Sequence, residues 1–406
     1  MFRRILIVLL TYFFAFPVNA SKLGDLASSM SAGTFAEITG STNYNFGGVG
    51  GGIWVPLDSP GGCGTGDYIT QFATNAAYDQ SRGVIRFIGQ SHGNCTSGRF
   101  VGYTIATDTW DQGTPSGTLA WPSAFVGQYA GSGGPGCGPL CLNHEWDQFN
   151  AVRPTDSLQV MWIGPNAIQY NPATNTWAQA GGTAYPCCVH GSSTNSFRWF
   201  PDANKFIFAN PDYGVYFLDP ANNFSNNSTA AWTYIICGST CFAATAPMQA
   251  GSIYDSDAGH SNSLMAYDRV HGFMYYATGS FGFGRFSASG TWTKLANCPV
   301  ECQLNTATMA GDPVTGEIVL LSNQGAVHAY NQNTGWRSVA VSVPGLFSGG
   351  VPGAFSTIST PLWDYGVIWF ARYNSPTSQG TWIYKHTAGA PDTQAPTAPT
   401  GLTVTP

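Results

Sequence analysis

Two turn motifs recur along this chain, and their recurrence limits its fold more than any other feature. The first is a turn with Asp or Gly between two apolar, strand-like runs. It reads Tyr78-Asp79-Gln80-Ser81-Arg82-Gly83-Val84-Ile85, and recurs as Pro201-Asp202-Ala203-Asn204-Lys205-Phe206-Ile207-Phe208. Further copies are Tyr267-Asp268-Arg269-Val270-His271-Gly272-Phe273 and Gly311-Asp312-Pro313-Val314-Thr315-Gly316-Glu317-Ile318, with a shortened Trp363-Asp364-Tyr365-Gly366-Val367. Asp opening and Gly closing such a stretch suit a tight hairpin between buried strands. The second motif is a polar turn ending in Trp: Thr109-Trp110, Thr176-Trp177, Ala231-Trp232, Thr291-Trp292, Gly335-Trp336 and Thr381-Trp382.

Two hairpins per repeat make a four-stranded blade, and a period of about 40 to 60 residues is that of a propeller. The expected fold is therefore all-β: a six-bladed, alternatively seven-bladed, β-propeller of four-stranded blades. A β-sandwich would not repeat the same two turns, and a β-helix has a shorter period. Most of the six Trp residues are expected in blade cores. Phe35-Ala36-Glu37-Ile38 is expected to lend a strand to the last blade, closing the ring and removing an exposed edge.

Composition agrees with a strand-and-turn protein. Charged residues make up 9% of the chain, against roughly 25% in an ordinary soluble domain. Fifty glycines and 14% aromatics stand in their place. Thr and aromatics favour strands, and Gly, Asn and Pro punctuate turns. A net charge of −6 gives no basic footprint, so nucleic acid is not an expected partner.

The ends differ from the middle. Arg3 and Arg4, an apolar run from Ile5 to Phe16 and the small-residue site Val18-Asn19-Ala20 form the pattern of a secretory signal peptide over residues 1–20. An uncleaved anchor is the alternative, but a span needs about 20 apolar residues. Export to the extracellular space or periplasm is expected, with no membrane span after cleavage. The propeller is expected over 21–386. A Pro-, Thr- and Ala-rich linker follows over 387–397.

All ten cysteines follow the signal, and an even count in an exported chain argues for disulfides. Cys137/Cys141, Cys237/Cys241 and Cys298/Cys302 share one spacing, Cys187 and Cys188 are adjacent, and Cys63 and Cys95 remain. Pairing each short-range couple, with Cys63 to Cys95, is simplest. Crossed pairing between neighbouring loops and a Cys-rich zinc site stay open.

The Asp-xxx-Gly hairpin followed by Tyr170-Asn171-Pro172-Ala173-Thr174-Asn175-Thr176-Trp177, and its twin Tyr330-Asn331-Gln332-Asn333-Thr334-Gly335-Trp336, resembles the kelch repeat of galactose-oxidase-type propellers over roughly residues 35–386. The double glycine of that repeat is replaced here by Gly89-Gln90, Ala209-Asn210, Thr278-Gly279 and Ser322-Asn323. Residues 398–406, Ala-Pro-Thr-Gly-Leu-Thr-Val-Thr-Pro, resemble the first strand of a fibronectin type III domain, a module that accompanies secreted enzymes acting on polymers.

In propellers, ligands bind over the central channel on loops entering the innermost strands. The segments before those strands carry Cys141-Leu142-Asn143-His144, Cys188-Val189-His190, Asp257-Ala258-Gly259-His260 and Cys302-Gln303-Leu304-Asn305. His92 follows the second strand of its blade. Convergence of His144, His190 and His260 would supply metal ligands, acid–base groups or sugar hydrogen bonds, with Glu145, Asp147, Asn305 and His92 as further binding candidates. The architectural alternative is that these residues cap strand ends.

Three functions follow. The first is a propeller binding carbohydrate, a cell-surface polymer or another extracellular ligand. The second is a polysaccharide lyase on acidic glycans, with His190, Arg198 and Tyr213 as candidates. The third, ranked last, is a copper-radical oxidase, which needs a spare Cys that the even count does not leave. Metal and cofactor are not fixed by any motif.

Overall fold

A computed structural model describes residues 21–41, 75–89, 99–111, 151–153, 157–163, 166–172, 176–180, 196–210, 214–219, 232–237, 263–278, 281–303, 306–348, 357–375 and 378–388. They hold one α-helix, α1 (Lys22–Ser29), and strands in sheets of four.

Blade 1 comprises β2 (Ala77–Asp79), β3 (Val84–Gly89), β4 (Arg99–Thr104) and β5 (Thr109–Asp111). Blade 2 comprises β6 (Ala151–Arg153), β7 (Leu158–Ile163), β8 (Asn166–Asn171) and β9 (Thr176–Ala180). Blade 3 comprises β10 (Ser196–Phe200), β11 (Lys205–Asn210), β12 (Gly214–Leu218) and β13 (Trp232–Cys237). Blade 4 comprises β14 (Leu264–Asp268), β15 (Phe273–Thr278), β16 (Gly282–Phe286) and β17 (Trp292–Lys294). Blade 5 comprises β18 (Ala307–Gly311), β19 (Ile318–Ser322), β20 (Val327–Asn331) and β21 (Gly335–Val339).

The remaining sheet, blade 6, joins the two ends of the fold. β22 (Thr357–Leu362), β23 (Val367–Ser375) and β24 (Ser378–Lys385) are completed by β1 (Thr34–Glu37), in the order β1-β24-β23-β22. Phe35 pairs with Tyr384, as the ring-closing strand requires. Within every sheet the strands pair antiparallel in sequence order apart from this one insertion. The first strands of successive blades adjoin one another, and β22 adjoins β2. The architecture is an all-β propeller of four-stranded antiparallel blades. Among the described residues no seventh sheet occurs.

Blade 5 is covered on both faces, so its inner strands read as continuous apolar runs rather than alternating ones. Ile318-Val319-Leu320-Leu321 in β19 is buried throughout. Leu320 faces blade 4 with Tyr275, Phe283 and Met309, while Val319 and Leu321 face blade 6 with Ile368, Phe370 and Tyr384. The seam between blades 6 and 1 packs Trp369, Ile358 and Ile383 against Phe87, Tyr103 and Trp110. Leu23 and Ala27 of α1 join that same cluster.

Of the Trp-ended turns, Trp110 is core at 1% exposure. Trp292, Trp336 and Trp382 are half-buried against their clusters. Trp382 departs from the expected place: it lies inside the third strand, β24, opposite Glu37 and Phe370, because the fourth strand comes from the N-terminal end.

Candidate functional site

The two ends of the blades are built differently. First and second strands are joined by residues 80–83, 154–157, 201–204, 269–272, 312–317 and 363–366. Each connection has a left-handed residue: Gly83, Ser157, Asn204, Gly272, Gly316 and Gly366. Third and fourth strands turn back at this same end, here called the turn face. The opposite end, the loop face, receives the chain between a fourth strand and the next first strand, through segments 38–76, 112–150, 181–195, 238–263, 295–306 and 340–356.

On the turn face the Asp of one blade reaches the next. Ser157 Oγ of blade 2 donates to Asp79 at 3.0 Å. Tyr267 of blade 4 donates to Asp202 of blade 3 at 2.6 Å. Asp312 of blade 5 accepts from Thr387, beyond the end of β24, at 2.8 Å. Asp364 of blade 6 accepts from Tyr78 at 2.7 Å and also from Gln80, both of blade 1. Asp268 caps its own turn through the Val270 and His271 amides at 2.9 and 3.0 Å and the His271 ring at 2.8 Å. Burial pushes the Asp268 carboxyl up, against the hydrogen bonds from His271.

At this end blades 4 and 6 touch each other. Trp363 of blade 6 meets Tyr267 of blade 4 at 6.2 Å between ring centroids, and the Arg269 guanidinium lies 5.5 Å from the Trp363 ring. Their contact spans the end of β18, where Gly311 sits. A Cβ there would collide with the Tyr267 carbonyl.

Toward the loop face, the first strands carry small hydroxyls that bond between blades. Ser196 and Ser263 hydroxyls are 3.0 Å apart, and those of Thr308 and Ser359 are 2.7 Å apart. Fully buried Arg372, opposite Thr357, donates to its hydroxyl at 3.5 Å. Segment 295–303 is closed by a disulfide between Cys298 and Cys302, with Cα atoms 6.2 Å apart. The Cys298 amide donates to the Phe281 carbonyl at 2.9 Å.

Of the residues singled out from sequence, Arg198 lies mid-strand in β10, opposite Ile207, and donates to the Phe197 carbonyl at 2.9 Å. His92, His144, Glu145, Asp147, His190, Tyr213, His260 and Asn305 lie outside the described residues, as do Cys63, Cys95, Cys137, Cys141, Cys187, Cys188 and Cys241. Cys237 ends β13 opposite Gly214. Residues 1–20, expected to be a leader, and residues 389–406, with the fibronectin-like stretch, are also outside. Among the described residues no group of three or more His, Cys, Asp or Glu side chains is placed to hold a metal ion. No described helix is long and apolar enough to cross a membrane.

A buried polar cluster escaped the sequence reading. His386 Nε2 lies 2.8 Å from Glu317 Oε2, and its Nδ1 lies 3.1 Å from the Tyr384 hydroxyl. Asn331 donates to Glu317 at 3.0 Å, and Arg337 forms an ion pair with it. Burial pushes the Glu317 carboxyl up, but hydrogen bonds from His386 and Asn331 and the Arg337 charge outweigh it, leaving it below its ordinary value. Burial first, then the Asp312 charge, pushes the Tyr384 hydroxyl up to about 12. No repeat motif marks these residues, since Glu317 and His386 are 69 positions apart.

No family model matches the chain, and no curated protein matches it. The kelch and galactose-oxidase resemblance thus has no support from a family match. Solved structures do match. The extracellular domain of a candidate one-component system of B. thetaiotaomicron is 10% identical with a TM-score of 0.40, covering 73% of this chain and 31% of that one. A protein of unknown function from Bacteroides thetaiotaomicron is 10% identical with a TM-score of 0.46, covering 86% and 75%. PorZ, a surface component of the type-IX secretion system of Porphyromonas gingivalis, is 11% identical with a TM-score of 0.45, covering 78% and 47%. The chain thus spans about a third of the first of these and about half of the third. At such values the propeller assignment rests on the strand order itself.

Proposed function

We propose that this chain is an exported propeller that binds an extracellular ligand on its loop face, over the central channel. The observation that carries this reading is the asymmetry of the two ends. On the turn face the first and second strands are joined by short connections, locked blade to blade by Asp79, Asp202, Asp312 and Asp364. Apart from residues 219–231 between β12 and β13, the long segments meet the ring at the other end, as binding loops on a rigid scaffold do. His144, His190 and His260 belong to those segments, and all ten cysteines fall on them, on the segment 90–98 or at the end of β13. Cys298–Cys302 is the pattern for the other close couples: each would fasten its own segment rather than join two blades. The contiguous first strands support a ring of six. Carbohydrate is the ligand class to test first, with removal of a leader at Ala20 as part of the same reading.

The test is a glycan array probed with the mature protein and with a His144→Ala, His190→Ala, His260→Ala variant, beside an absorbance assay for unsaturated uronate on acidic polysaccharides. Binding that is lost in the variant at unchanged melting temperature is the expected result. A flat array with rising absorbance overturns pure binding in favour of a lyase. Silence in both overturns carbohydrate as the ligand.

A further inference from the structure

The ends of the propeller leave from one face, and they do so by separate means. At the N-terminal end, Ser21 is 2% exposed and accepts the Gly24 amide at 3.0 Å, acting as the N-cap of α1. α1 contacts residues 105–107, the connection from β4 to β5, and residues 363–365, the first turn of blade 6; both belong to the turn face. Lys22 Nζ lies 3.7 Å from Asp108, in the same connection. The chain then enters β1 at Thr34, opposite Lys385, again at the turn face.

At the C-terminal end, β24 runs toward the turn face and stops at Lys385, whose Nζ donates to the Ala27 carbonyl of α1 at 3.0 Å. His386 and Thr387 are then held by Glu317 and Asp312 in the first turn of blade 5. The two ends are therefore fastened to neighbouring parts of one face, to blades 6 and 1 on one side and blade 5 on the other.

We propose that the turn face is the side on which this propeller is mounted. Any polypeptide joined to either end lies on that side, and the loop face points away from it. This holds whatever the loop face binds. Residues 388–392 can span at most about 17 Å when extended, at about 3.4 Å each. That segment leaves Thr387 from the turn face.

The test uses the full mature chain carrying two clickable unnatural residues with nitroxide labels, which leaves the cysteines untouched. One label replaces Asp392. The other replaces either Ser289, exposed in the β16–β17 turn on the turn face, or Glu301, exposed in the disulfide-closed segment on the loop face of the same blade. Pulsed dipolar spectroscopy is expected to give a shorter mean distance for 392–289 than for 392–301. Equal or reversed distances would overturn the proposal. Near-ultraviolet circular dichroism checks that each labelled chain folds. Should either reporter variant unfold, Ser28 against Thr291 and Pro299 reads the N-terminal end by the same comparison.

Discussion

The hydroxyl of Tyr78, in the first blade, donates to Asp364, in the last, at 2.7 Å. Burial first, then the Asp364 charge, pushes that hydroxyl's pKa well up. The bond crosses the seam where the ring closes. Tyr78→Phe leaves Asp364 with Gln80 alone and is expected to cost about 2 kcal/mol, the scale for a hydrogen bond to a charged group. Tyr267→Phe removes the matching bond to Asp202 at an exposed site and should cost less than half as much. Urea unfolding of the two variants checks the order; equal losses would show that the seam gains nothing special from Tyr78.

Glu317 has a carboxyl held below its ordinary value of about 4.5. A lowered carboxylate contributes stability above that ordinary value and loses it as pH falls through the folded value. Glu317→Gln is therefore expected to melt lower than the parent at pH 7 and to converge with it near pH 3. Melting curves at pH 7, 5 and 3 read this directly. A constant gap would mean that shape rather than charge matters there.

Burial pushes His328 below its ordinary 6.5. Its Nε2 is buried without a hydrogen-bond partner among the described residues, and Nδ1 lies 3.4 Å from the Ser338 hydroxyl. The unfolded chain binds this proton more readily, so stability falls as pH drops below 6.5 toward the folded value. His328→Leu should flatten the parent's loss of melting temperature between pH 7 and 5. A slope unchanged by the substitution would refute the assignment.

Gly311→Ala places a methyl against the Tyr267 carbonyl, backbone that cannot swing away. Overpacking of this kind costs about 1–3 kcal/mol. Gly83→Ala meets nothing within 4 Å and suffers only from its φ of 62°; the strain there is about 1 kcal/mol. Denaturation midpoints of the pair should differ in that order.

Cys298–Cys302 closes a loop of separation four. Chain-entropy reasoning gives about 2 kcal/mol for so short a loop, at the low end for disulfides. The double Ser variant should keep the propeller's far-ultraviolet spectrum and lose only a few degrees of melting temperature. Collapse of the fold would show that the bond does more than fasten its segment.

The blade was legible because hairpins are local. Asp79 and Gly83, or Asp312 and Gly316, announce a turn within a few residues, and the left-handed φ at each Gly is what selects that residue. Blade 2 hid its first turn by using Ser157 at φ 57° where blades 1, 4, 5 and 6 use Gly; Asp156 just before it was the remaining signal. The sequence could not reveal that these Asp side chains serve the neighbouring blade, because their partners sit up to 286 positions away. Helix α1 was missed despite Ser21 and the spacing of Leu23, Leu26, Ala27 and Met30, since eight residues give little periodicity. Of the candidate residues, Arg198, Cys237 and Cys298–Cys302 are placed. The His386–Glu317 cluster had no local signature at all.

The pairing of β1 with β24 also dictates an order of events. A nascent chain presents Thr34–Glu37 almost at once, yet its partner strand arrives only with Ser378–Lys385. Until then five blades can stack while β1 waits with an open edge, the condition under which strands recruit wrong neighbours. Its four-residue length and terminal Glu37 make it a poor template in that interval. During synthesis β1 thus waits for Ser378–Lys385, and a chain truncated before Ser378 would lack the partner that closes its ring.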